Sequence, residues 1–198
     1  MSKSDPASVK KERNKTIRWF VTIFFVTILV SALISLGSEE LMASSSTLVA
    51  FFILLAIVLL GIVFDVIGVA VTSADEKPFH SMAARKVPGA AEAIQLLRNA
   101  EKVGSICNDV IGDICGVVSG SASATIAVRL LENFDDFSWP RLISLIMSAL
   151  VAGLTVGGKA IGKSFAIHSC TNIVHGVGRV IFWFRSIPQI FTKNKTKS

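Results

Sequence analysis

The stretch TLVAFFILLAIVLLGIVFDVIGVAV, Thr47 to Val71, carries Asp65 as its single charge. A helix rising 1.5 Å per residue needs about 20 apolar residues to cross a hydrocarbon core ~30 Å thick. This one is longer, so it tilts or projects past the interface. Asp65 lies towards its second end.

Moving towards the N-terminus, Ile17 to Leu36 reads IRWFVTIFFVTILVSALISL and predicts a second span. The run is too long for the apolar region of a signal peptide. Glu39 and Glu40 follow it instead of a small-residue cleavage site, so it is expected to be retained. Towards the C-terminus, Ser105 to Leu130 reads SICNDVIGDICGVVSGSASATIAVRL. Helical spacing puts Ser105, Asp109, Gly112, Asp113, Gly116, Gly120 and Ser123 on one side. Ile106, Val110, Ile114, Val117 and Val118 lie away from them. A span with a small, polar face turns it to other helices or to water, and Gly116-x-x-x-Gly120 lets backbones approach. The alternative is a soluble amphipathic helix, but no soluble domain is present to cover one. Arg141 to Val156, RLISLIMSALVAGLTV, predicts a fourth span. Pro140 suits its first turn, and it continues through Gly157 and Gly158 towards Lys159.

Composition agrees with this reading. Apolar residues make up 52% of the 198, Phe is abundant and Tyr is absent. The formal charge of +6 comes from the ends and one internal loop, with no basic face interleaved with aromatics, so nucleic acid is not an expected partner. Cys107, Cys115 and Cys170 are an odd set without zinc-type spacing and are expected to be free thiols.

The charges between spans alternate. Lys3, Lys10, Lys11, Arg13, Lys15 and Arg18 lie before or at the start of the first span, whereas Gly37 to Ser46 holds only Glu39 and Glu40. Lys77, Arg85, Lys86, Arg98 and Lys102 lie in Thr72 to Gly104, and Glu132, Asp135 and Asp136 lie in the next loop. Lys193, Lys195 and Lys197 end the chain. The positive-inside rule then places both termini in the cytoplasm of a multi-pass cell-membrane protein.

The loop Thr72 to Gly104 is too long to be structureless. It predicts one helix over Ser81 to Val87, with Pro78 at the turn before it, and another from Gly89 introduced by Pro88. After the fourth span, residues 164–184 form a basic amphipathic pattern that predicts a helix at the inner membrane surface, ended by Pro188. His168, Cys170 and His175 sit on it without a carboxylate to complete a metal site. No paired catalytic carboxylates, activated nucleophile or phosphate loop stands out, so an enzyme is not expected. The expected fold is an all-α membrane protein. It has four transmembrane helices (17–36, 47–71, 105–130 and 141–158), a cytoplasmic helical loop, a juxtamembrane helix, and basic tails at 1–16 and 185–198.

Ionisable residues inside spans cost about 2.5–3.5 kcal/mol each at the centre of a helix and face the bundle interior with partners. Here they are Asp65, Asp109, Asp113 and Lys159, with Lys163 one turn further on. A compact bundle brings them together as either a cation site or an internal ion pair.

Across Thr47 to Phe184 the chain resembles the DUF21 transmembrane domain of the CorB/CorC and cyclin-M (CNNM) magnesium transporters. Asp65-Val-Ile-Gly68-Val-Ala70 stands where that family has Ser-x-x-Glu-Thr-Ala. Gly89-Ala-Ala-Glu-Ala matches its Gly-x-x-Ala element. Val110-Ile-Gly112-Asp113 stands for Leu-Ile-Gly-Asn, and Gly158-Lys159-Ala-Ile-Gly162-Lys163 for Gly-Glu-Ile-x-Pro-Lys. The resemblance implies divalent-cation transport or homeostasis, with Mg²⁺ (or Co²⁺) held at Asp65, Gly112 and Asp113, and Asp109 close by. It departs from the pattern at Lys159, which replaces the family's Glu, and the family's cytosolic regulatory domains are absent from the sequence. Two readings stay open. Either Lys159 pairs with Asp65 and Asp113 as a tethered cation in a non-transporting assembly module, or it snorkels away and leaves an acidic Mg²⁺ site. The small-residue face implies a homodimer, and another membrane protein is an alternative partner.

Overall fold

The computed structural model describes residues 6–132 and 140–193, which are helical and contain no strand. Four segments are long and apolar enough to cross a membrane: Ile17–Met42, Thr47–Ser73, Ala100–Leu131 and Ser144–His168. The chain is an all-α integral membrane protein. The expected acidic residues Asp135 and Asp136, and Lys3, Lys195 and Lys197 of the tails, lie outside the described residues.

The first helix, α1 (Pro6–Ala43), runs well past Leu36, so the loop expected over Gly37 to Ser46 shrinks to residues 44–46. Packing explains the extension. Met42 in the last turn is 2% exposed, in a cluster with Ala50, Leu54, Ala122 and Ile126. That anchor outweighs the roughly 1 kcal/mol cost of Gly37 in mid-helix. Elsewhere α1 lies against the outside of the bundle. Ile23, Val30 and Ile34 meet Val110, Ile114 and Val118, while Phe20, Phe25, Leu29 and Leu33 face outward.

The second helix, α2 (Thr47–Ser73), is the centre of the bundle. Apolar burial gives little drive between helices in lipid, so close packing holds them together, and small residues permit it. Glycines notch both sides of α2. A Cβ on Gly61 would lie 2.8 Å from Cys115 Cβ, and one on Gly104 2.8 Å from Thr72 Cγ2. A Cβ on Gly68 would overlap the Asn108 side chain. On the other side, Ile62 and Val66 press into Gly158 and Gly162.

Three short helices cap one end of α2: α3 (Lys77–Ala84), α4 (Ala90–Arg98) and α5 (Ala100–Ser105). Phe79, Ala93 and Leu97 close on Ala70 and Val71 there. The start of α3 at Lys77 rather than Ser81 corrects the sequence expectation. Pro78 falls inside the first turn, where its missing N–H costs nothing. Gly89 takes φ +87°, which only glycine adopts freely, and sits against the backbone of Gly178 and Arg179.

From α5 the chain continues through a π-helical segment, Ile106–Gly112, into α6 (Asp113–Glu132). The fourth spanning helix, α7 (Pro140–His168), does not stop near Gly158 as expected. Gly158 and Gly162 are packing notches for α2, not helix ends. The last helix, α8 (Cys170–Lys193), therefore starts after Ser169 rather than at Ser164, and it continues through Pro188. It packs its first half on α4 and the capped end of α2, with Val174 fully buried.

A candidate cation and ion-pair site

Asp65 lies eight residues before the end of α2, about 12 Å along the axis from it. It is 2% exposed, the one buried carboxylate among the described residues. Lys159 reaches it from α7. Its Nζ lies 4.0 Å from Asp65 Oδ1 and 3.8 Å from Asp113 Oδ1, and donates to the Gly112 carbonyl at 3.2 Å. Lys163, one turn further along α7, brings its Nζ to 3.5 Å from Asp65 Oδ2. Two carboxylates and two ammonium groups therefore meet where α2, α6 and α7 converge.

Local structure builds this meeting. The π-helical segment ends at Gly112, and such wide turns displace the helical register by about one residue, often at functional sites. Gly112 has no side chain, which leaves room for its neighbours. A Cβ there would lie 3.3 Å from Lys159 Nζ and 3.6 Å from Asp65 Oδ1. A larger residue would crowd the ammonium and require it to shift by a few tenths of an ångström.

The inward face matches the expected one only in part: Gly112 and Ser123 are buried, but the acidic residues are not. Asp109 is exposed and stays outside the cluster, and Asp113, although in it, has its side chain 74% exposed. Gly120 is exposed too, and a Cβ on Gly116 or Gly120 meets nothing within 4 Å, so neither admits another helix of this chain. The face turned inward carries Ile114, Cys115, Val118, Ser119, Ala122 and Ile126 together with Ser123. The hydroxyls of Ser119 and Ser123 donate to the carbonyls of Gly116 and Gly120, which satisfies them inside the bundle.

The sequence reading did not single out Asn108. It sits on the π-helical segment with its side chain over Gly68, one turn from Asp65 on α2. Its Oδ1 and Asp65 Oδ2 are buried and accept no hydrogen bond. An uncharged amide in a span is the signal that points to it, since such groups seek partners across helices.

The remaining candidates serve structure. Cys107 and Cys115 are buried free thiols, and Cys170 is a partly exposed one. His168 pairs with the Ser164 carbonyl at 2.8 Å and His175 with the Pro88 carbonyl at 3.2 Å. The second contact ties α8 to the turn before α4. At the far end of the bundle, Arg129 donates to the Ser45 carbonyl at 3.1 Å, closing α6 on the α1–α2 turn.

Oxygen donors around Asp65 suit a hard cation. They are one buried carboxylate, the Gly112 carbonyl that already takes a positive charge, and an amide oxygen one turn away. The lysines suit the opposite use, since they supply the positive charge themselves. No family model, curated protein or solved structure matches this chain.

Proposed function

We propose that the chain handles a divalent cation within the membrane, as a transport or homeostasis protein, with Asp65 at the centre of its site. One observation carries this reading. Asp65 Oδ2 and Asn108 Oδ1 are buried oxygens that accept no hydrogen bond, on facing segments of α2 and the π-helical turn. Asn108 Oδ1 has no donor, which costs about 1–3 kcal/mol, and Asp65 Oδ2 meets only the half-exposed Lys163 ammonium at 3.5 Å. A cation offsets that cost, and Mg²⁺ in particular binds through one or two carboxylates while keeping several waters. The resemblance to the CorB/CorC domain supports the same reading. In it, the termini and the capped end of α2 face the cytoplasm, as loop charge directs. Two copies associate through the open face of α6, because Asp113 on a spanning helix is costly to leave in lipid.

A second reading has its own observation. Asp65 and Asp113 are balanced by Lys159 and Lys163 at 3.5–4.0 Å, so the cluster is neutral without a diffusible ion. The chain is then a non-transporting membrane module, closed by a tethered ammonium and assembling with itself or another membrane protein.

Thermal unfolding of the purified chain, titrated with Mg²⁺, separates them. The transport reading expects the midpoint to rise with Mg²⁺ and the Asp65→Asn chain to lose the rise. Should only Lys159→Met respond, the ammonium occupies the site and the second reading holds. No response in any of the three chains removes the cation reading.

A further inference from the structure

In α8 the run Val180–Phe184 has no protein cover among the described residues. Val180, Ile181, Phe182, Trp183 and Phe184 are all exposed, the last two at 63% each. Five consecutive residues of a helix occupy its whole circumference, so this run is apolar on every side. A helix that is apolar all round is buried in something. The first half of α8 shows the contrast. Cys170, Ile173, Val174 and Gly178 share the face laid on α4 and the end of α2. Among the described residues no such partner covers Val180 to Arg185.

We infer that the α8 run Val180–Phe184, flanked by Arg179 and Arg185, docks into the membrane leaflet at which α7 ends, and that it prefers anionic lipid headgroups. Three features select lipid over a protein occupant. First, Ser169 alone separates α8 from α7, a spanning helix. Arg179 is about ten residues and 15 Å of helix from that joint, so the run cannot travel far from the headgroups. Second, the charge is one-sided. No Asp or Glu follows Asp136, whereas Arg179 and Arg185 bracket the run and Lys193, Lys195 and Lys197 come after it. Basic residues beside an amphipathic helix are drawn to anionic lipid by about 1 kcal/mol each, a fivefold change in occupancy. Third, the run holds Trp183 against Phe184, edge to face at 5.5 Å between centroids. Indole is the side chain that favours the boundary between acyl chains and headgroups.

Both arginines remain exposed, and the helix ahead of them is fixed by the Gly89–Gly178 contact and the His175–Pro88 bond. The run is therefore presented by a rigid arm. Its apolar residues insert while Arg179 and Arg185 extend to phosphate oxygens at the surface.

The test uses the full chain with Trp183 as its only indole (Trp19→Phe and Trp139→Phe), reconstituted in two kinds of vesicle. One kind is phosphatidylcholine alone, and the other contains phosphatidylglycerol as well. Both include lipid brominated near the headgroup end of the acyl chain. Trp183 emission is expected to be quenched by the brominated lipid and shielded from aqueous iodide, more strongly with phosphatidylglycerol. Arg179→Gln with Arg185→Gln should lower the docked-to-undocked ratio about fivefold per arginine in the anionic vesicles only. Quenching by iodide rather than by lipid overturns the proposal. Shielding from both quenchers means a protein covers the run and overturns it too. Lipid quenching indifferent to phosphatidylglycerol and to the arginines removes the anionic preference.

Discussion

Replacing Lys159 by methionine keeps the length of the side chain and removes its charge from three partners at once. Asp65 Oδ1 loses an ammonium at 4.0 Å, Asp113 Oδ1 loses one at 3.8 Å, and the Gly112 carbonyl loses its donor at 3.2 Å. Breaking a buried pair by removing one member costs about 3–5 kcal/mol. The Lys159 side chain is 19% exposed and Lys163 stays 3.5 Å from Asp65, so the lower end applies, about 3 kcal/mol. For a chain of this size each kcal/mol shifts the melting midpoint by roughly 2–4 °C, which predicts a fall of about 6–12 °C. The assay is thermal unfolding in detergent with chelator present. Asp65→Asn alone is expected to cost about 1–3 kcal/mol, because it leaves two ammonium groups short of an acceptor. The double variant removes both the charge and its counter-charge. Its loss should fall short of the sum by about 1.5 kcal/mol or more, within the range for residues in one network. Losses that add within about 0.5 kcal/mol would refute the reasoning, since they would mean that Lys159 and Asp65 do not interact.

Three further outcomes follow from the packing. Gly68→Ala forces a Cβ into Asn108 and should destabilise by about 1–3 kcal/mol, with most of the loss recovered in Gly68→Ala/Asn108→Ala, measured by the same melting assay. Gly162→Leu collides with Val66 and should cost a similar amount, whereas Gly120→Leu meets open space. The Gly120 variant should melt within about 0.5 kcal/mol of the parent as a monomer and show reduced cross-linking between copies. Gly89→Ala places a Cβ at positive φ against Arg179 and should lose about 1–3 kcal/mol, with faster proteolysis of the α3–α4 segment.

Long apolar runs made the spans legible, because lipid leaves a helix little choice of composition. Asp65 and Lys159 were legible for the same reason, as a charge inside a span stands out against its neighbours. The ends of the helices were not. Met42, Gly158 and Gly162 are set by what they touch on other helices, and the local pattern around Gly37 or Gly157-Gly158 favours an earlier stop. Asn108 and the true inward face of α6 were hidden by the π-helical turn. An α-helical period carried from Ser105 to Ser123 predicts one stripe, whereas the π-helical turn breaks that period before Asp113, and Asp109, Asp113 and Gly120 are exposed while Gly112 and Ser123 are buried.

Magnesium uptake into proteoliposomes that enclose a Mg²⁺ indicator tests the central claim most directly. The account predicts uptake above protein-free vesicles for the parent chain and its loss in the Asp65→Asn chain. Uptake no faster than in empty vesicles, or undiminished by Asp65→Asn, would contradict it.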